Sequence, residues 1–158
     1  MQERILVPLD GSKAGEAALP YIEELVSKLS SEVVKEVTLF QAVSPIIYPI
    51  VGEGEYVDVA YTDKEIAQLK RQAMNYLEGA GQGLRRQGLV VETRVSVGSA
   101  AEEIIKAADE INADLIAMST HGRSGLSRWA FGSVTDRVMR GGNVPILVVR
   151  ATAPAKKV

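Results

Sequence analysis

The sequence predicts a single α/β domain, a doubly wound parallel sheet of five strands in the order 3-2-1-4-5 with helices on both faces. Three observations lead there. Short apolar runs alternate with helix-period segments along the chain, the pattern of strands joined by crossover helices. The runs Ile5-Leu6-Val7 and Asp114 to Met118 have little or no polar alternation, so these strands, the first and fourth, should be central and covered on both faces. Val91, Thr93, Val95 and Val97 alternate with Glu92, Arg94 and Ser96, which places the third strand at an edge with one wet face. The order 3-2-1-4-5 satisfies both demands with right-handed crossovers.

The elements follow in chain order. After the first strand, Ala14, Ala17, Ala18, Tyr21, Ile22, Leu25, Val26 and Leu29 form a helical stripe. Ser12 is its expected N-cap, and Pro20 inside it should remove one backbone bond and kink it. Val37 to Val43 reads as the second strand. Residues 44–62 read as a long irregular stretch, rich in Tyr, Ile, Val and Pro, that serves as a flap or a partner contact. Thr62-Asp-Lys-Glu65 is a capping box opening a helix with Ile66, Leu69, Ala73, Tyr76, Leu77, Ala80 and Leu84 on its inner face. Gly79, Gly81 and Gly83 weaken its last turns, and Gly88 should end it. A second capping box, Ser99 to Glu102, precedes a helix with Ile104, Ile105, Ala108 and Ile111 inward. A polar segment then covers 119–132. A last helix, with Val134 and Val138 inward, leads to the fifth strand, Pro145 to Val149.

Composition narrows the function classes. The chain has 158 residues, 46% of them apolar and 24% charged, ordinary values for one soluble domain. That domain is expected over residues 1–150, followed by a flexible C-terminal tail at 151–158. A net charge of −2 leaves no basic field for nucleic acid or an anionic membrane, so neither is an expected partner. Absence of cysteine excludes disulfides and thiolate chemistry. With no secretory leader in MQERILVPL and no apolar run of membrane-spanning length, the cytoplasm is the expected compartment.

In the predicted strand order the winding reverses between strands 1 and 4, and open α/β sheets bind ligands in that crevice. Asp10 follows the first strand, and the polar segment follows the fourth. Gly132 and Ser133 stand where the last helix begins, and its unpartnered amides and dipole suit a phosphate. Gly122 would let a ribose or phosphate pack against the main chain, and Arg123 and Arg128 would add charge-assisted contacts. On spacing alone these residues serve equally well as turn glycines and a helix cap. His121, the single histidine, has no carboxylate neighbour legible in the sequence, which favours a hydrogen-bonding over a general-base role. Trp129 with Leu126, Ala130 and Phe131 reads as core packing. There is no Walker-type loop and no GxGxxG after the first strand.

From ILVPLDGS to GGNVPILVVR the chain resembles the universal stress proteins, and specifically their ATP-binding branch. That branch carries a glycine, two residues, a second glycine, nine residues, then glycine and Ser or Thr. Gly122, residues 123–131 and Gly132-Ser133 match it, while Ser119 stands at the first glycine, where its side chain would crowd a ribose or bond to it. The resemblance implies that Asp10 serves the ribose or a phosphate-bound Mg²⁺. It implies that main-chain groups at Ala42 and Val43 read adenine, with Pro8, Leu9 and Met118 as apolar neighbours. Gly122, Gly132, Ser133 and Val134 would hold ribose and phosphates. The expected ligand is ATP, with Mg²⁺, in a nucleotide-dependent regulatory or stress-response protein with an unidentified protein partner. The alternatives are a slow Mg-dependent ATP hydrolase and a dimeric interaction module that binds no nucleotide. The fifth strand is an apolar edge, Ile146 to Val149, that invites pairing with a second copy; the resemblance implies the same homodimer.

Overall fold

The computed structural model describes residues 3–29, 33, 35–47, 50–51, 55–56, 59–120 and 132–151. Its central sheet consists of β1 (Glu3–Pro8), β2 (Lys35–Val43), β7 (Val90–Val97), β8 (Leu115–Thr120) and β9 (Ile146–Arg150). The strands are all parallel, in the order β7-β2-β1-β8-β9, which is the predicted 3-2-1-4-5.

Alternation along β1 divides the interior into two cores. Ile5 and Val7 face one side, with Ile22 and Val26 of helix α1 (Leu19–Lys28) and Leu77 of α2 (Asp63–Ala80). Leu84 of the short α3 (Gln82–Arg86) joins them. Leu6 faces the other side, against Phe40, against Ile104 and Ala108 of α4 (Ala100–Glu110), and against Val138 of α5 (Ser133–Gly141). Both helix layers are needed because β1 is apolar on both faces. At the edge, Val90 and Glu92 of β7 are exposed, and β7 pairs with β2 alone.

Several local expectations need correction. The first helix is not one kinked rod: a 3₁₀ turn at Gly15–Ala18 precedes α1, and Pro20 lies in the first turn of α1. There its missing N–H would have had no intrahelical acceptor, so nothing bends. Ser99 occupies the N-cap position of α4, but its side chain makes no capping bond. The Glu103 side chain instead folds back beside Gly98, and the Glu103 amide donates to the Ser99 carbonyl at 2.9 Å. The described residues within 44–62 are not all irregular. They hold β3 (Ile46–Ile47), β4 (Ile50–Val51), β5 (Glu55–Tyr56) and β6 (Val59–Ala60), paired antiparallel as β3 with β6 and β4 with β5. Each piece is two residues long, too short for an alternation to register, although Ile, Val and Tyr favour extended backbone. Ser119 and Thr120, expected in the polar segment, are the buried last residues of β8, paired in register with Val149 and Arg150. Ala151, expected to open the tail, is also buried, and its amide donates to the Thr120 carbonyl at 3.1 Å.

The Thr62 capping box is complete. The Glu65 amide donates to Thr62 Oγ1 at 3.3 Å, and the Thr62 amide and hydroxyl both donate to Glu65 Oε2 at 2.8 Å. Those two bonds, backbone first, hold the Glu65 carboxyl below its usual pKa. Because the folded pKa is depressed, this half of the box acts above the ordinary carboxylate pKa and is lost as acid protonates Glu65. Helix α2 gives way to α3 at Gly81, and Gly88, at φ +81°, turns the chain into β7 in a conformation that favours glycine.

Urea denaturation should separate the two kinds of stabilisation. Leu6→Ala is expected to cost about 2–5 kcal/mol by leaving a cavity on the central strand. Thr62→Ala is expected to cost about 1 kcal/mol. A Thr62→Ala loss equal to that of Leu6→Ala would contradict this ranking.

Candidate functional site

The site begins where β1 ends. Pro8 and Leu9 are buried, and the Leu9 amide donates to the Phe40 carbonyl at 2.8 Å, tying the end of β1 to β2. Asp10 is exposed, and Gly11 then turns the chain at φ +82°. Asp10 Oδ1 accepts from the Ser12 amide at 3.0 Å and from the Ser12 hydroxyl at 2.6 Å, a side-chain turn that holds the carboxylate over the strand end. The Ser12 hydroxyl accepts in turn from the Gly15 amide at 3.0 Å, so Ser12 caps the 3₁₀ turn rather than α1 itself. A Cβ on Gly15 would stand 2.4 Å from Asp10 Oδ1, so only glycine leaves room for the carboxylate in this place.

Two further elements lock that turn. The Ser119 hydroxyl on β8 lies 2.7 Å from the Ala14 carbonyl oxygen and 2.9 Å from that of Gly15, to which it donates. Its proton is committed to the main chain of the Asp10 turn, a tie that the sequence did not suggest for this side chain. From the other side, the Tyr76 hydroxyl on α2 donates to Glu16 Oε1 at 3.1 Å and accepts from the Gly11 amide. Burial, then the Glu16 and Asp10 carboxylates, push the Tyr76 pKa well above its ordinary value. The phenol therefore stays protonated and acts as a donor, not a base.

At the end of β2, Ala42 is half-buried and Val43 buried, and the Val43 carbonyl accepts from the Gly98 amide at 3.0 Å. Both residues line a cavity of about 440 Å³ that also reaches Gly11 and Tyr76. The cavity thus joins the end of β2 to the Asp10 turn. Met118 is buried in the core beneath α4 and α5.

The start of α5 differs from the reading of its serine as a helix cap. Gly132 is the N-cap and Ser133 the first helical residue, and no side chain caps the helix. Val134 is half-buried against the core, and Ser133 is exposed. Gly132 has φ −59° and ψ 150°, open to any residue. A Cβ there would meet nothing closer than Thr135 Oγ1 at 4.0 Å among the described residues. Among the described residues, neither backbone nor packing there demands glycine. Asp136, which would oppose an anion at this helix start, is paired with Arg140 at 2.9 Å. His121, Gly122, Arg123, Arg128 and Trp129 lie outside the described residues. No cluster of three or more His, Cys, Asp or Glu able to hold a metal occurs among the described residues.

The sequence picked out Asp10, Ala42, Val43, Ser119 and Gly132. It missed Gly15 and Glu16, and it read Tyr76 only as core. The one available signal was the hydroxyl on the inner stripe of α2, since a buried phenol needs a partner.

The profile of the universal stress protein family matches residues 1–150. Universal stress protein MJ0577 of Methanocaldococcus jannaschii is 29% identical over 157 residues, covering 95% of this chain and 96% of its own. The solved structure of MJ0577 superimposes with a TM-score of 0.70 at 27% identity, covering 95% of this chain and 96% of that one. Two more distant structures share the fold. One is a universal stress protein in complex with cAMP, at 21% identity and TM-score 0.59, covering 95% of this chain and 98% of its own. The other, from Arabidopsis thaliana, was solved with AMP bound, at 13% identity and TM-score 0.62, covering 98% and 97%. By sequence and by fold, this chain belongs to the universal stress protein family.

Proposed function

We propose that this chain belongs to the ATP-binding branch of its family and binds ATP, or a close relative, at the carboxyl ends of β1, β2 and β8, as a nucleotide-dependent regulatory protein. The observation that carries the reading is Gly132. Among the described residues it opens α5 with no side-chain cap, in a conformation and a space that do not require glycine, at the spacing from Gly122 shared with that branch. A phosphate approaching the first-turn amides of α5 is what such a glycine admits. The cAMP and AMP found in two structures of the family are consistent with an adenine nucleotide here.

In this reading the amides of Ser133 and Val134 hold phosphate with Gly122 and Arg123, and His121 orients the ligand. Asp10 meets the ribose or a phosphate-bound Mg²⁺. Magnesium commonly takes one or two carboxylates together with phosphate oxygens, so a single fixed carboxylate fits its needs. The main chain at Ala42 and Val43 meets the base, while Pro8, Leu9 and Met118 shape the floor from within the core. Ser119 contributes by holding the Asp10 turn. A regulatory role is favoured over hydrolysis because the sequence carries no lysine in a phosphate loop and no carboxylate legible beside its single histidine.

Homodimerisation through β9 belongs to the same reading. β9 is an edge strand on which Ile146, Leu147 and Val148 are only half-buried, and pairing with a second copy would cover it. Sedimentation at micromolar concentration should give a dimer; a monomer would remove this part of the proposal.

Calorimetric titration of Mg-ATP and Mg-AMP into nucleotide-stripped protein tests the site. Saturation near one nucleotide per chain is expected. Gly132→Asp, which sets a carboxylate at the helix start, should weaken binding by about tenfold or more. Gly15→Ala, which displaces the Asp10 carboxylate, should weaken binding while leaving the circular dichroism spectrum unchanged. No heat from either nucleotide with the fold intact would leave the dimeric module as the surviving reading.

A further inference from the structure

The cavity at the end of β2 carries one feature that the binding roles above leave unused. The Gln41 side chain lines it, and Gln41 Oε1 is buried with no hydrogen-bond partner among the described residues. A shielded carboxamide oxygen without a donor is costly in a folded protein and marks a place where something else supplies the bond. The surrounding wall tells what kind of ligand that is. Gln72, Tyr61 and Tyr76 provide neutral polar groups, Leu69 and Ile46 apolar ones, and no charged side chain lines the cavity among the described residues. Such a wall disfavours phosphate and suits a planar, neutral, hydrogen-bonding ring, and about 440 Å³ is ample for a purine.

We propose that Gln41 selects the base of the bound nucleotide, its carboxamide accepting from the exocyclic amine of adenine and donating to the neighbouring ring nitrogen. This rests on the nucleotide reading above and adds to it the residue that decides which base enters. A half-turn about the last side-chain bond exchanges the oxygen and nitrogen of Gln41, so the oxygen, sealed off as it stands, can be brought to the position that the nitrogen now holds. A carboxamide pairs with the donor–acceptor edge of adenine in the way glutamine reads adenine in nucleic acids. The cavity also touches Gly11, next to the carboxylate assigned to the ribose, so a base here and a ribose at Asp10 lie within one nucleoside of each other.

The test compares Mg-ATP, Mg-GTP and inorganic triphosphate on wild type, Gln41→Leu and Gln41→Glu. Leucine keeps the volume and removes both polar atoms, a replacement that leaves no buried donor or acceptor unsatisfied. Wild type should prefer ATP. Gln41→Leu should lose about tenfold in ATP affinity and most of the ATP-over-GTP preference, with triphosphate binding unchanged. Gln41→Glu, an acceptor-only group suited to the N1–H and amino donors of guanine, should move the preference toward GTP. This inversion is a readout that a merely structural glutamine would not produce, and it remains available if the leucine variant proves unstable. ATP binding by wild type with an unchanged ATP-to-GTP ratio in the variants would overturn the role of Gln41 and leave the nucleotide reading standing. No nucleotide binding by wild type would overturn both.

Discussion

Burial of β1 on both faces is the constraint from which the rest of the fold follows. Ile5 and Val7 on one side and Leu6 on the other are at most 2% exposed. A strand without a wet face cannot sit at an edge, so it must have a neighbour on each side and a helix layer above and below. Those requirements put β2 and β8 beside β1 and force the winding to reverse there. The reversal in turn leaves the crevice where no crossover closes over the strand ends. The location of the site is thus a consequence of how apolar the central strand is.

The crevice is made specific by a small polar assembly at the end of β1. Asp10 is held by Ser12, the carboxylate rests on Gly15, and the turn containing both is tied to β8 by Ser119 and to α2 by Tyr76 and Glu16. The two ties join elements far apart in sequence: Ser119 lies more than a hundred residues from Ala14, and Tyr76 lies 60 from Glu16. An exposed carboxylate would ordinarily sample many orientations at little cost. Here its orientation is coupled to β8 and to α2, which is the pre-organisation that a binding group needs. Replacement of a motif glycine by Ser119 is therefore compatible with a site, because the hydroxyl faces the turn.

The two ends of the crevice differ in chemistry, and in the proposed function this would give a bound nucleotide a direction. The start of α5 offers amides and the positive end of a helix dipole to an anion. The cavity by β2 offers neutral amides, phenols and aliphatic carbon. Asp10 lies between the two in the connectivity of the sheet, at the end of the strand flanked by β2 and β8. In the proposed function, phosphate, sugar and base would thus take distinct positions along the sheet edge.

Composition and period sufficed for what depends on local pattern. Two-sided apolar runs, the alternation in 91–97 and the Thr62 capping box are legible because burial and capping impose short-range rules, and the strand order followed from them. The resemblance of the glycine-and-serine segment to a known family supplied the ligand class. Contacts between distant segments were not legible. Nothing local says that Ser119 bonds to the carbonyls of Ala14 and Gly15, that Tyr76 reaches Glu16, or that Gln41 is left without a partner beside a cavity. The two-residue ladders within 44–62 were invisible for a related reason, since pairing partners fix them and period does not. Hydrophobic periodicity is a property of a segment and can be read along it. The direction of a hydroxyl or a carboxamide is set by whichever donor or acceptor the fold brings within about 3 Å, and only tertiary structure decides that.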